Sequence, residues 1–175
     1  MKRLMRIVFL ALLLLTACTN TSTLSEADEV AIYTAVIEQL YTRDDTFGGT
    51  YQAADTYILS QTNDSAGDPD IEPLEPQVLT TAVQDKITAA LAHLPTNMIW
   101  VEAMTAVSLD PATGAVANSG IVLTLGNIHP QSNGTVLVSA SIYVGSLAAG
   151  GQTYILEKDA NGWQIKGTTG VQWIS

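Results

Sequence analysis

Proton-transfer chemistry draws first on histidine, and this chain of 175 residues has two, His93 and His129. His93 closes an apolar-periodic segment, where a partial positive charge suits the end of a helix. His129 lies in Asn127-Ile128-His129-Pro130, which reads as a hairpin loop, and loops carry much of the function of proteins. Asp55 and Glu102 are carboxylates within early predicted strands, and with His129 they form the set of candidate proton handlers. A denser group of oxygens runs from Asn63 to Glu72 and contains Asp64, Asp68, Asp70 and Glu72, donors of the kind that hold calcium. The spacing departs from an EF-hand, with no Gly at the sixth position after a leading Asp and no Glu at the twelfth, so a solvated acidic loop is the simpler expectation. Nucleophilic and phosphate chemistry find less support. There is no Gly-x-Ser-x-Gly elbow, and Ala148-Ala149-Gly150-Gly151 lacks the Lys-Ser/Thr pair of a phosphate loop. Two histidines so far apart make no zinc signature, and no cofactor is expected.

Charge narrows the partners. Seventeen acidic residues against seven basic ones give a formal net charge of -10. Beyond the first few residues the basic side chains are Arg43, Lys86, Lys158 and Lys166, scattered rather than clustered. A nucleic-acid surface needs grouped cations to displace counterions, so no nucleic-acid partner is expected. At 47% hydrophobic the chain can build a core, and one Cys excludes an internal disulfide.

These residues must be positioned by regular elements. Ser25 and Asp28 have the spacing of a capping box, and Val30, Tyr33, Ile37, Leu40 and Tyr41 recur as one face of a helix over about 26–42. Gly48-Gly49 breaks it, and 50–59 reads as a strand. Residues 61–76 are too rich in Pro, Gly and Asp for a regular element. A second helix follows over about 81–93, with Thr81 and Gln84 as its capping box and Pro95 beyond its end. Thereafter the pattern alternates: strands are expected at 98–107, 121–127, 135–144, 153–158, 163–167 and 171–174. Asn133-Gly134 and Asn161-Gly162 mark tight hairpins. The expectation is an α+β fold, two helices packed on a twisted, mainly antiparallel β-meander of about five to six strands. Trp100, Trp163 and Trp173 then either pack in the core or line a cavity for an apolar molecule.

The first residues carry an address. Lys2, Arg3 and Arg6 precede an apolar run from Ile7 to Leu15, far shorter than the roughly 20 residues that span a bilayer. Leu15-Thr16-Ala17-Cys18, directly behind it, resembles the bacterial lipobox. That resemblance implies that Cys18 receives lipid and that the chain is cut before it, since several acyl chains anchor durably where one does not. The expected organisation is a signal peptide at 1–17, a lipidated Cys and polar tether at 18–24, and one globular domain at 25–175. Cleavage removes three basic residues and no acidic one, which makes the exported chain still more acidic. Thr19 allows an outer-membrane fate in a two-membrane cell, so cell membrane and outer membrane both remain open.

A second resemblance lies in the sheet. Tyr154-Ile155-Leu156-Glu157-Lys158-Asp159-Ala160-Asn161-Gly162-Trp163-Gln164-Ile165 is similar to the late hairpin of the ketosteroid-isomerase and SnoaL-like α+β cones. The resemblance implies a cavity with an Asp or His projecting into it, although that family often places three helices before the sheet and this chain shows two. No motif fixes a catalytic residue by alignment. The leading expectation is a lipid-anchored domain outside the cytoplasm that binds a ligand or an envelope or extracellular protein without catalysis. The alternative is a small cone-type enzyme or carrier for an apolar small molecule, with Asp55, Glu102 or His129 handling the proton.

Overall fold

The computed structural model describes residues 24–44 and 52–175. The expected signal peptide, Cys18, the tether before Leu24, Gly48-Gly49 and the start of the first expected strand lie outside the described residues.

Helix α1 spans Glu26–Thr42. Ser25 accepts from the Asp28 N–H while the Asp28 carboxylate accepts from the Ser25 N–H, so two backbone donors at the helix start are satisfied reciprocally. Ile32, Tyr33, Val36, Ile37, Leu40 and Tyr41 are buried; Val30 is only partly so, and the apolar face is rotated slightly from the expected one. Ser25→Ala is expected to lower stability by about 1 kcal/mol, read as a lower urea midpoint at unchanged m-value. Helix α2 spans Thr81–Ala90. Its cap is Thr80 rather than Thr81: Thr80 is extended, its Oγ1 accepts from the Val83 N–H at 3.3 Å, and the Gln84 amide donates to the Leu79 carbonyl at 2.7 Å. Among the described residues no helix is long and apolar enough to cross a membrane.

Six strands form one mixed sheet: β1 Asp55–Leu59, β2 Asn97–Val101, β3 Ile121–Pro130, β4 Val136–Gly145, β5 Ala148–Asp159 and β6 Gly162–Ile174, in the order β2-β1-β3-β4-β5-β6. With the two helices this is an α+β fold. The last four strands are the expected antiparallel meander. β1 differs, running parallel to both β2 and β3. The chain between β1 and β2 contains α2, and a crossover of that length lets strands pair in parallel.

Several boundaries move. β2 stops at Val101, and a short 3-10 turn over Met104–Ala106 follows. β3 runs on to Pro130, so His129 sits in a strand and not in a hairpin loop; Pro is tolerated at that strand end. The two expected last strands are one, β6, with Gly170 at φ 86 beside a shift of register against β5.

Side chains alternate across the sheet. Leu123, Leu125, Val138, Ala140, Tyr154 and Leu156 belong to the main core with α1 and α2. On the opposite face, Ser139 and Thr153 meet the segment that joins β1 to α2. This strap, residues 60–79, has its ends tied together by Leu79 N–H to the Ser60 carbonyl and Thr62 N–H to the Gln77 carbonyl, both at 2.8 Å. A smaller apolar cluster of Val107, Val116 and Val122, flanked by Tyr57 and Tyr143, is separate from the main core.

Candidate functional site

Asp64 opens a short 3-10 turn in the strap, capped by the Asn63 side chain. Its side chain is 1% exposed, contrary to the expectation of a solvated loop. One carboxylate oxygen accepts from the Asn127 N–H at 2.7 Å; the other accepts from Asn127 Nδ2 and the Leu74 N–H, both at 2.9 Å. Asn127 in turn accepts from Thr62 Oγ1 at 2.8 Å. Nε2 of His129 lies 3.0 Å from the Asp64 carboxylate, off the line that a hydrogen bond requires. Burial alone would raise the Asp64 pKa, but the Asn127 amide, the Leu74 N–H, the His129 imidazole and the Asn127 N–H together hold it below the usual carboxylate value. The bulge in β3 between Leu125 and Ile128 turns Asn127 and His129 toward the strap.

The other acidic side chains of this segment divide. Asp68 is buried, with its N–H donating to Thr153 Oγ1 and its carboxylate accepting from the Asp70 N–H, each at 2.9 Å. Asp70 and Glu72 are exposed. Among the described residues no three His, Cys, Asp or Glu side chains are grouped so as to hold a metal ion. The oxygens of Asp64, which calcium would need, are spent on protein donors.

Asp55 stands at the start of β1 and accepts from Asn97 Nδ2 at 3.0 Å across the parallel pair. Glu102 is exposed past the end of β2, on a groove of about 730 Å3 between that strand and the start of α2. The three candidate proton handlers are therefore not brought together. His129 alone has a carboxylate beside it, and the partner is Asp64. The indoles are engaged: Trp100 donates to Thr88 at 3.0 Å, Trp163 to Asp28 at 2.9 Å and Trp173 to the Ala66 carbonyl at 3.2 Å.

The concave surface next to the meander lies elsewhere. A groove of about 650 Å3 runs between the outward flank of α1 and the start of β6, and a second of about 370 Å3 lies toward the end of β6. Both are lined by Gln39, Arg43 and Ile165. Neither is lined by Asp64 or His129. Lys86 pairs with Glu26, Lys158 with Asp28 and Lys166 with Asp159. Asp28, held by Lys158, Trp163 and Ser25, has its pKa driven far below the carboxylate norm. Among the described residues Arg43 is the one basic side chain without an acidic partner. Arg43 and Asn127 entered the sequence reading only as a scattered cation and as part of a loop. An isolated base directly after a helix, in so acidic a chain, was the available signal.

No protein-family model, curated protein or solved structure matches the chain.

Proposed function

We propose that the protein is a lipid-anchored, extracytoplasmic binding domain: Cys18 is the point of acylation, and the groove between α1 and β6 is the recognition surface. The groove carries this reading. It is open, half apolar, bordered by a strand edge with no neighbour among the described residues, and contains Arg43, which no acidic side chain of the described residues pairs. Pockets that recognise ligands combine apolar walls with a few placed polar groups in this way. The acidic balance of the chain would keep the domain off anionic lipid head groups, leaving the groove accessible. The cell membrane and the outer membrane both satisfy the reading.

The rival is catalysis on an apolar small molecule. It draws support from the pairing of His129 with Asp64, the arrangement of a base beside an orienting carboxylate. The binding reading has the better geometry because that pair opens on neither groove.

Two measurements test the proposal. Wild type is expected to incorporate labelled palmitate and to yield an acylated amino-terminal Cys18 peptide by mass spectrometry, whereas Cys18→Ser stays unprocessed and unlabelled. An unlabelled wild type removes the anchor. Photo-crosslinking residues placed in cells at Gln39, Gln164, Asn133 and Asn97 are expected to give discrete adducts at the first two positions. Adducts only at the others would move the recognition surface, and none anywhere would remove the binding reading.

A further inference from the structure

We infer that the groove takes an extended peptide strand bearing an acidic side chain, added to β6 as a seventh strand with its carboxylate on Arg43. This rests on the binding-domain reading and names its partner class.

Among the described residues β6 ends the sheet, so one row of its backbone N–H and C=O groups faces no described strand. Such an edge is a template for pairing unless it is blunted. Here it is blunted only in part. Register shifts fall opposite Ile155/Leu156 and opposite Gln152/Tyr154, and they divide β6 into short regular stretches. The stretch Gly162–Ile165 pairs regularly with Leu156–Asp159 on one side, and its residues line the larger groove. Strands in a sheet lie about 4.8 Å apart, so a seventh strand beside β6 would lie in that groove. Beside Val30, Thr34 and Glu38, its helical wall includes Ala27, Ala31 and Ala35. Their small side chains leave room for a backbone to approach. A bulge at one end of this short regular stretch and the hairpin turn at the other favour one docked segment over open-ended edge pairing.

Charge selects the kind of peptide. β6 has no acidic residue, in a chain where acids outnumber bases seventeen to seven. Two carboxylates line the grooves, and both are engaged: Glu38 faces His93 Nε2 at 3.3 Å and Asp44 accepts from Gln152 Nε2 at 3.5 Å. Arg43 lies where both grooves meet, and its guanidinium offers a planar fork that matches a carboxylate. The opposite edge fails this comparison. β2 is five residues long, and the groove beside it contains Glu102 and no base.

The experiment presents the full-length lipoprotein, extracted in detergent, to a display library of random peptides of about nine residues, fused at both ends so that no free terminus contributes a charge. Enriched peptides are expected to carry Asp or Glu at one fixed position within alternating, strand-forming residues. Arg43→Glu is expected to replace that preference with Lys or Arg at the same position, because reversing one partner of an ion pair reverses the choice of the other. Arg43 is exposed, and a circular-dichroism melt matching wild type verifies the fold. A synthetic version of an enriched peptide, N-methylated at alternate amides of one edge, is expected to bind at least about tenfold more weakly. No enrichment, enrichment without an acidic position, or an unchanged preference in Arg43→Glu overturns the inference. Groove crosslinks in cells alongside such a result would leave the binding-domain reading standing and refute only the acidic strand.

Discussion

Asp64→Ala is expected to lower the free energy of unfolding by about 3–5 kcal/mol, because it removes a buried carboxylate and leaves its donors without an acceptor. The Asn127 N–H and Nδ2 and the Leu74 N–H all converge on this group, and His129 stands beside it. Alanine offers none of them a replacement. Asp64→Asn retains the shape and one acceptor but turns an N–H2 toward groups that also donate, so an intermediate loss is expected. The pH dependence has a definite sign. The folded-state pKa of Asp64 is lowered, so its ionised form contributes stability that is complete above the unfolded carboxylate value of about 3.9 and is lost as pH falls through the folded value. Asp28 is shifted in the same direction and acts over the same acid range in both proteins. Subtracting the urea stability curve of Asp64→Asn from that of wild type removes the Asp28 contribution common to both. The difference should shrink below about pH 4. A difference that persists unchanged at pH 2 would show that the network depends on shape and not on charge.

That cluster also shows where sequence stops being informative. α1 was legible because its cap and its apolar period are local: Ser25, Asp28 and the residues from Tyr33 to Tyr41 determine the helix between them. The meander was legible for the same reason, since Asn133-Gly134 and Asn161-Gly162 supply the turns, with Gly134 at φ 85 and Gly162 at φ 105. Pairing direction was not. β1 pairs in parallel with two strands distant in the chain, and nothing in residues 55–59 encodes that neighbour. The strap misled for a physical reason. Its polar composition is that of a solvated loop, yet Asp64 and Asp68 are buried because the sheet beneath supplies donors from Asn127 and Thr153. His129 was misplaced by its neighbour Pro130, which here ends a strand instead of starting a loop. Of the candidate site, the residue types of Asp64 and His129 were visible, but their proximity was not, and Arg43 drew no notice because being unpaired is a property of three-dimensional surroundings.

Gly151→Ala should be among the most damaging single-methyl additions in the molecule, for a reason that follows from the strap. A Cβ at Gly151 would overlap the Ala66 carbonyl oxygen and stand 2.6 Å from Trp173 Nε1, the same donor that the Ala66 carbonyl holds at 3.2 Å. The obstacle is backbone, which cannot rotate away as a side chain tip can, so the 3-10 turn must lift from β5. Overpacking of this kind costs about 3 kcal/mol, at the upper end of its usual range. Small residues also meet elsewhere between the strap and the sheet, Gly67 on the strap and Gly126 and Ser139 on the sheet. A Cβ at Gly126 would come 2.7 Å from Asp64 Oδ1 and 2.8 Å from the Ser139 Cβ, and one at Gly67 would come 2.7 Å from Ser139 Oγ. Gly167 is the control: an added Cβ there meets nothing within 4 Å, and Gly167→Ala should stay within about 0.5 kcal/mol of wild type. Chemical denaturation gives the stabilities. Limited proteolysis locates the damage, because a lifted strap exposes residues 60–79 to cleavage while the meander stays protected. Equal stability of the Gly151 and Gly167 variants, with no new cleavage in the strap, would mean that the strap is not seated against β5, and the burial of Asp64 would lose its structural basis.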